Sequence, residues 1–169
     1  MIILVCGGDG TGKTTLCKHL AEHYGFEYKH FDRPVSKEAA KKEYFDYIDY
    51  VSENNLNVVC DRMYDGEFVY APIYRGYKID YLEEIEEKIK KQVKTVVVYV
   101  TADIEDIIHR VTVRGEDFVQ LGDHTLIQSL YEEFMQKQTL EAITVNTSVL
   151  DEQKAFRYAV ECLDKAMRK

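Results

Sequence analysis

Eight consecutive residues, Gly7-Gly8-Asp9-Gly10-Thr11-Gly12-Lys13-Thr14, fill every position of a G-x-x-x-x-G-K-[ST] loop between an apolar run and a helical pattern. Glycines let successive backbone N–H groups turn toward one point, and the positive end of a following helix adds to the field there. The segment is therefore suited to a polyphosphate. Gly8, Asp9, Gly10, Thr11, Gly12, Lys13, Thr14 and Thr15 are the expected ATP-binding residues, with Lys13 reaching the outer phosphates and Thr14 giving its hydroxyl to Mg²⁺. Asp61 closes the run Val58-Val59-Cys60 in the manner of a Walker-B-type carboxylate and is the second expected Mg²⁺ ligand. An ion pair internal to the fold is the alternative reading of the Asp61-Arg62 step.

Positive charge recurs where a second anion would lie. Five of the seven arginines, Arg33, Arg62, Arg75, Arg110 and Arg114, fall just after strand-like runs or in a candidate lid, in a chain of formal charge −8. Such clustering in an acidic protein suits a small polyphosphate ligand, whereas a long nucleic acid calls for a broad basic surface. Arg110 and Arg114 stand four apart on one helical face, and Ile104, Ile107, Ile108 and Val111 form the buried stripe. Gly115-Glu116-Asp117 follows as the start of a lid over about 110–123. Arginines on a closing lid would neutralise a transferring phosphoryl group and exclude water; solvated arginines at a helix end are the plainer alternative. The stretch 61–72 mixes aromatic and charged side chains, making Glu67, Phe68 and Tyr70 candidates for an acceptor pocket. Its aromatics would equally serve to pack a short helix on the sheet.

The elements that must position these residues alternate. Strand-like runs at 2–6, 26–30, 57–60, 95–100 and 142–146 are separated by helical patterns at 13–24, 36–54, 81–91, 103–114 and 124–138, and a helix over 150–168 closes the chain. That order predicts an α/β fold: a three-layer α/β/α arrangement on a five-stranded parallel sheet with right-handed crossovers and a short lid. Ligands of such sheets bind beyond the carboxyl ends of the strands. Polar residues stand immediately after each of the five strands, and Asn146 after the last is a further expected ATP contact.

The length of 169 residues fits a single domain over 1–169. No apolar stretch approaches a membrane span, no secretory leader is legible and the cysteines lack zinc spacing, so the expected setting is cytoplasmic with reduced thiols. The histidines are scattered, and no Ser-His-Asp or Cys-His nucleophile is indicated.

In motif order over nearly its whole length, the chain resembles the thymidylate kinase-like branch of the P-loop nucleoside monophosphate kinases. The resemblance rests on the loop at 7–15, the Asp61-Arg62 step with Tyr70 nine residues after Asp61, and Arg110-x-x-x-Arg114-Gly115. It implies ATP in the loop, Mg²⁺ between the nucleotides, an acceptor phosphate on Arg62 with Arg33, and Asp9 near the acceptor deoxyribose. With Thr11 where a related type of loop has a basic residue, the resemblance also implies that lid arginines Arg110 and Arg114 supply the catalytic charge. A homodimer is a further implication. The sequence departs from the thymidylate kinase pattern at Cys6, Gly66 and Ala71, where glutamate, serine and glutamine are usual. The expected activity is ATP-dependent phosphorylation of a deoxynucleotide such as dTMP. A deoxynucleoside or polynucleotide 5′-hydroxyl kinase is the alternative, with a noncatalytic nucleotide-binding module as a third reading.

Overall fold

The computed structural model describes residues 1–115 and 119–168; the part of the expected lid at 116–118 lies outside the described residues. Five strands, β1 (Ile2–Cys6), β2 (Glu27–His30), β3 (Val58–Asp61), β4 (Thr95–Thr101) and β5 (Glu141–Asn146), form one parallel sheet in the order β2-β3-β1-β4-β5. The central strand is buried at every position, as expected where both faces are covered. Edge strand β2 carries Glu27, Lys29 and His30, and such charge discourages pairing with another chain.

Strand alternation sorts the core into two layers. Ile2, Leu4, Cys6, Val58, Cys60, Val97 and Tyr99 face one way, against α2 (Lys37–Glu53), α3 (Tyr64–Tyr74), α4 (Leu82–Gln92) and α6 (His124–Lys137). Ile3, Val5, Val59, Val96, Val98 and Val145 face the other way, against α1 (Lys13–Tyr24) and α7 (Glu152–Met167). The arginine helix α5 (Ile104–Arg114) packs through Ile107 and Val111. The three-layer α/β/α arrangement read from the sequence is the one found.

Helix α3 is the element that hydrophobic periodicity did not delineate. Tyr64, Asp65, Gly66, Glu67, Val69, Tyr70 and Ala71 are all buried, so it has no polar face to mark a period. Asp65 and Glu67 in its first turn favour the helix dipole, and Pro72 sits close to its end.

Candidate functional site

The loop after β1 is held in shape by two close approaches. Gly7, at φ 144°, lies so near the Val100 carbonyl that a Cβ would collide with it. Gly10, at φ 79°, lies against Ile107 and Val111 of α5, where a Cβ would meet Val111 Cγ2 at 2.8 Å. The loop thus reaches both β4 and the arginine helix. Thr11 is buried and donates to the Gly8 carbonyl at 2.8 Å, closing the turn. A cavity of about 460 Å³ opens over it, lined by residues 8–15 together with Arg110, Arg114 and Thr147. That volume falls in the range of small-ligand sites.

Arg110 fastens this cavity on its far side. Its guanidinium donates to Thr147 Oγ1 at 2.8 Å, to the Thr147 carbonyl at 2.9 Å and to the Gly10 carbonyl at 3.3 Å. Thr147 Oγ1 in turn donates to the Thr11 carbonyl at 2.8 Å. One planar cation therefore ties α5, the phosphate loop and the β5 loop together, a use for which the guanidinium fork is suited.

At the end of β3, Asp61 is fully buried and holds three hydrogen-bond partners, with His30 Nδ1 3.7 Å from Oδ2. Lys13 forms an ion pair with Oδ1, and Thr14 Oγ1 and Tyr28 OH donate to Oδ2 at 2.8 and 2.9 Å. Burial alone would push this carboxyl up; the Lys13 charge and the hydrogen bonds outweigh it and hold the group below its ordinary value. The carboxylate and the Thr14 hydroxyl are hard oxygen donors side by side. They fit Mg²⁺, which usually takes one or two protein ligands and completes its shell with water and phosphate. Among the described residues, no group of three or more His, Cys, Asp or Glu side chains forms an all-protein metal cage.

A second cavity, of about 620 Å³, adjoins the first, and Asp9 and Arg114 line both. Its walls include Asp32 and Arg33 after β2, Tyr44 of α2, Arg62, and Glu67, Tyr70 and Tyr74 of α3. Arg62 lines this second cavity and reaches the shared residue: it pairs with Asp9, donates to Tyr70 OH at 3.2 Å and lies over the Tyr70 ring at 4.8 Å. Deeper in, Glu67 accepts from Arg75 and Tyr77. Burial pushes its carboxyl up, and these two donors counter only part of that shift.

Most residues singled out from the sequence therefore line one of two joined cavities, and three do not. Asp61 is fully buried among Lys13, Thr14 and Tyr28 and lines neither. Phe68 turns away from the second cavity and packs on Phe134 of α6, ring centroids 5.6 Å apart, because the helix carries it one residue off the face that bears Glu67 and Tyr70. Asn146 lines neither cavity; its Oδ1 accepts from the Ser148 N–H at 2.8 Å and shapes the turn. Thr147 takes its place beside the phosphate loop. The polar step after β5 marked this neighbourhood, but which of three adjacent side chains turns inward depends on the turn. Tyr44 and Phe31 gave no sequence signal beyond that of core aromatics. Arg75 was visible only as one of the clustered arginines.

The model of the family described as "ATPase family associated with various cellular activities (AAA)" matches residues 3–147. The chain is 28% identical over 149 residues to the SPbeta prophage-derived uncharacterized protein YorR of Bacillus subtilis (strain 168), covering 86% of this chain and 88% of that protein. It is 28% identical over 133 residues to adenylate kinase isoenzyme 1 of Gallus gallus, covering 73% and 69% of the two chains. The crystal structure of YorR from Bacillus subtilis in complex with phosphorylated GDP superposes with a TM-score of 0.78 at 25% identity, over 100% and 99% of the chains. A deoxyadenosine kinase from M. mycoides with bound dCTP matches with a TM-score of 0.63 at 19% identity, over 98% and 100%, a likeness of fold. The fold is that of a P-loop nucleotide kinase. Among the described residues, no helix is long and apolar enough to cross a membrane.

Proposed function

The chain belongs to the ATPase family associated with various cellular activities, and from that footing we propose that it is an ATP-dependent (deoxy)nucleoside monophosphate kinase of the thymidylate kinase-like kind. It moves the γ-phosphate of ATP to a deoxynucleotide such as dTMP. The observation that carries this reading is the place of Arg62, which lines the second cavity and pairs with Asp9, a phosphate-loop residue that lines both cavities. The relatedness to an adenylate kinase, and to a protein whose crystal structure holds phosphorylated GDP, supports the same class of chemistry.

In this reading ATP lies in the first cavity, its phosphates on residues 8–15 with Arg110 at the side. Thr14 and Asp61 would hold Mg²⁺, which would supply charge neutralisation for the phosphates. The acceptor lies in the second cavity: Arg62 and Arg33 grip its phosphate, Asp9 stands near its sugar, and Glu67 and Tyr70 wall the base. An acceptor phosphate oxygen attacks the γ-phosphorus as the bond to the β-phosphate oxygen breaks, giving ADP and a nucleoside diphosphate. The acceptor is already an oxyanion, so no strong general base is needed. Catalysis comes from in-line placement and from the positive charge of Lys13, Arg62, Arg110 and Arg114. We further place residues 1–169 in one catalytic domain with its lid at about 110–123, acting in the cytoplasm as a homodimer.

Labelled ATP offered with nucleoside monophosphates, nucleosides and 5′-hydroxyl oligonucleotides tests this directly. Monophosphates are expected to become diphosphates while the other two classes stay unlabelled. Labelling of nucleosides or oligonucleotides alone would assign a 5′-hydroxyl kinase instead, with Asp9, Asp32 or Asp61 as the candidate carboxylate base. ATP binding without transfer to any acceptor would assign a noncatalytic nucleotide-binding module.

A further inference from the structure

Arg62 has a backbone that residues with a side chain rarely adopt. Its φ is 66°, in the left-handed region, and the only other described non-glycine residue with positive φ is Asn55. Such a conformation costs roughly 1 kcal/mol or more and persists only where the surroundings impose it. Here the two peptide groups flanking the Arg62 Cα are each fixed by one hydrogen bond. On the strand side, Arg62 N–H donates to the Val5 carbonyl at 3.1 Å, prolonging the sheet. On the helix side, Met63 N–H donates to Asp65 Oδ1 at 2.7 Å.

Asp65 is placed for this task. Its side chain is fully buried beneath the turn, and Tyr131 OH approaches Oδ2 at 3.5 Å. The same tyrosine meets Tyr70 edge-on, ring centroids 6.3 Å apart, and Tyr70 is the ring on which the Arg62 guanidinium rests. Gly66 completes the arrangement. A Cβ there would lie 3.5 Å from Arg62 Cβ and Cδ, so the arginine stem runs directly over the helix start.

We propose that Asp65 is a positioning residue for phosphoryl transfer: by holding the Met63 peptide it imposes the left-handed turn that brings the Arg62 guanidinium to the acceptor phosphate. The proposal rests on the reading of Arg62 as the acceptor-phosphate ligand. Asp65 itself touches no substrate. Its hydrogen-bond acceptor is what matters, so an amide oxygen in the same place does the same work.

Steady-state kinetics of Asp65→Ala and Asp65→Asn, with acceptor and ATP varied separately, test it. Asp65→Ala is expected to raise the acceptor KM about tenfold or more while the ATP KM stays within about twofold; Asp65→Asn should restore the acceptor KM to within about twofold of the parent. Should the cavity left by alanine prevent folding, Asp65→Leu fills the space without an acceptor and is expected to behave as Asp65→Ala does. An unchanged acceptor KM in the alanine or leucine variant, an equal rise in both KM values, or an asparagine variant as impaired as alanine would overturn the proposal. A parent protein that phosphorylates no monophosphate would instead defeat the kinase reading on which it stands.

Discussion

The first cavity takes its floor from eight consecutive residues, 8–15, whereas the second gathers side chains from the loop after β2, from α2, from the turn after β3 and from α3. The first is shaped largely by backbone: Gly7 and Gly10 are required by close contacts, and Thr11 closes the turn through the Gly8 carbonyl. The second is shaped by side chains that hold one another, Arg62 on Asp9 and Tyr70, and Glu67 on Arg75 and Tyr77. A main-chain cradle recognises what all nucleoside triphosphates share, their phosphates. A cavity built of side chains is where one acceptor is told from another.

The sharpest way to break this contrast is to remove the cation of the phosphate loop. Lys13→Ala is expected to lower kcat by about 10³-fold or more, measured by phosphoryl transfer at saturating substrates. It also leaves Asp61 buried without its cation, so the unfolding midpoint falls as well. Lys13→Gln, which still donates to Asp61, should recover much of the midpoint without the activity. A full-rate Lys13→Ala enzyme would remove the phosphate loop from the chemistry.

Arg62→Ala comes next. It should raise the acceptor KM by about 10–100-fold, and the ATP KM far less, because the guanidinium faces the second cavity. The reverse order would move Arg62 to the donor side.

An effect on stability concerns the buried charge beneath the turn. Burial pushes the Asp65 carboxyl up to about 6 from an ordinary 3.8, with the Met63 N–H and the nearby cations only partly opposing it. The folded state thus holds the proton more tightly than the unfolded chain does, and this group's contribution to stability falls as pH rises from about 4 through about 6. The loss is on the order of 3 kcal/mol. Denaturant unfolding of the parent and Asp65→Asn should show a stability difference that moves in favour of the variant over that window. A difference that stays constant with pH would contradict it.

Phe68 gives the mildest test. Phe68→Leu should leave the acceptor KM within about twofold and lower stability by roughly 1 kcal/mol, since its ring packs on Phe134 rather than on the acceptor. A large acceptor effect would return Phe68 to the second cavity.

The same contrast explains what the sequence disclosed. The phosphate loop is a contiguous pattern whose spacing is its mechanism, and the inner strands β1, β3 and β4 read as short β-rich runs because both of their faces are covered; both were legible. Helix α3 was not, since it is buried on all sides and leaves no stripe. Within it, Glu67 and Tyr70 were picked out with Phe68, and only the helix phase separates them. The polar step after β5 points to Asn146 where Thr147 turns inward, a distinction made by the hydrogen bond from the Ser148 N–H to Asn146 Oδ1. The hold of Asp65 on Met63 has no signature at the level of spacing at all.

Two cavities that share Asp9 and Arg114 should accept two nucleotides joined end to end. Calorimetric titration with a dinucleoside pentaphosphate, which links an ATP-like half to a monophosphate-like half, measures this directly. Joined cradles predict a Kd about 100-fold or more below that of a nonhydrolysable ATP analogue, as the second half binds at high effective concentration. A Kd no lower than that of the ATP analogue alone would contradict the end-to-end arrangement.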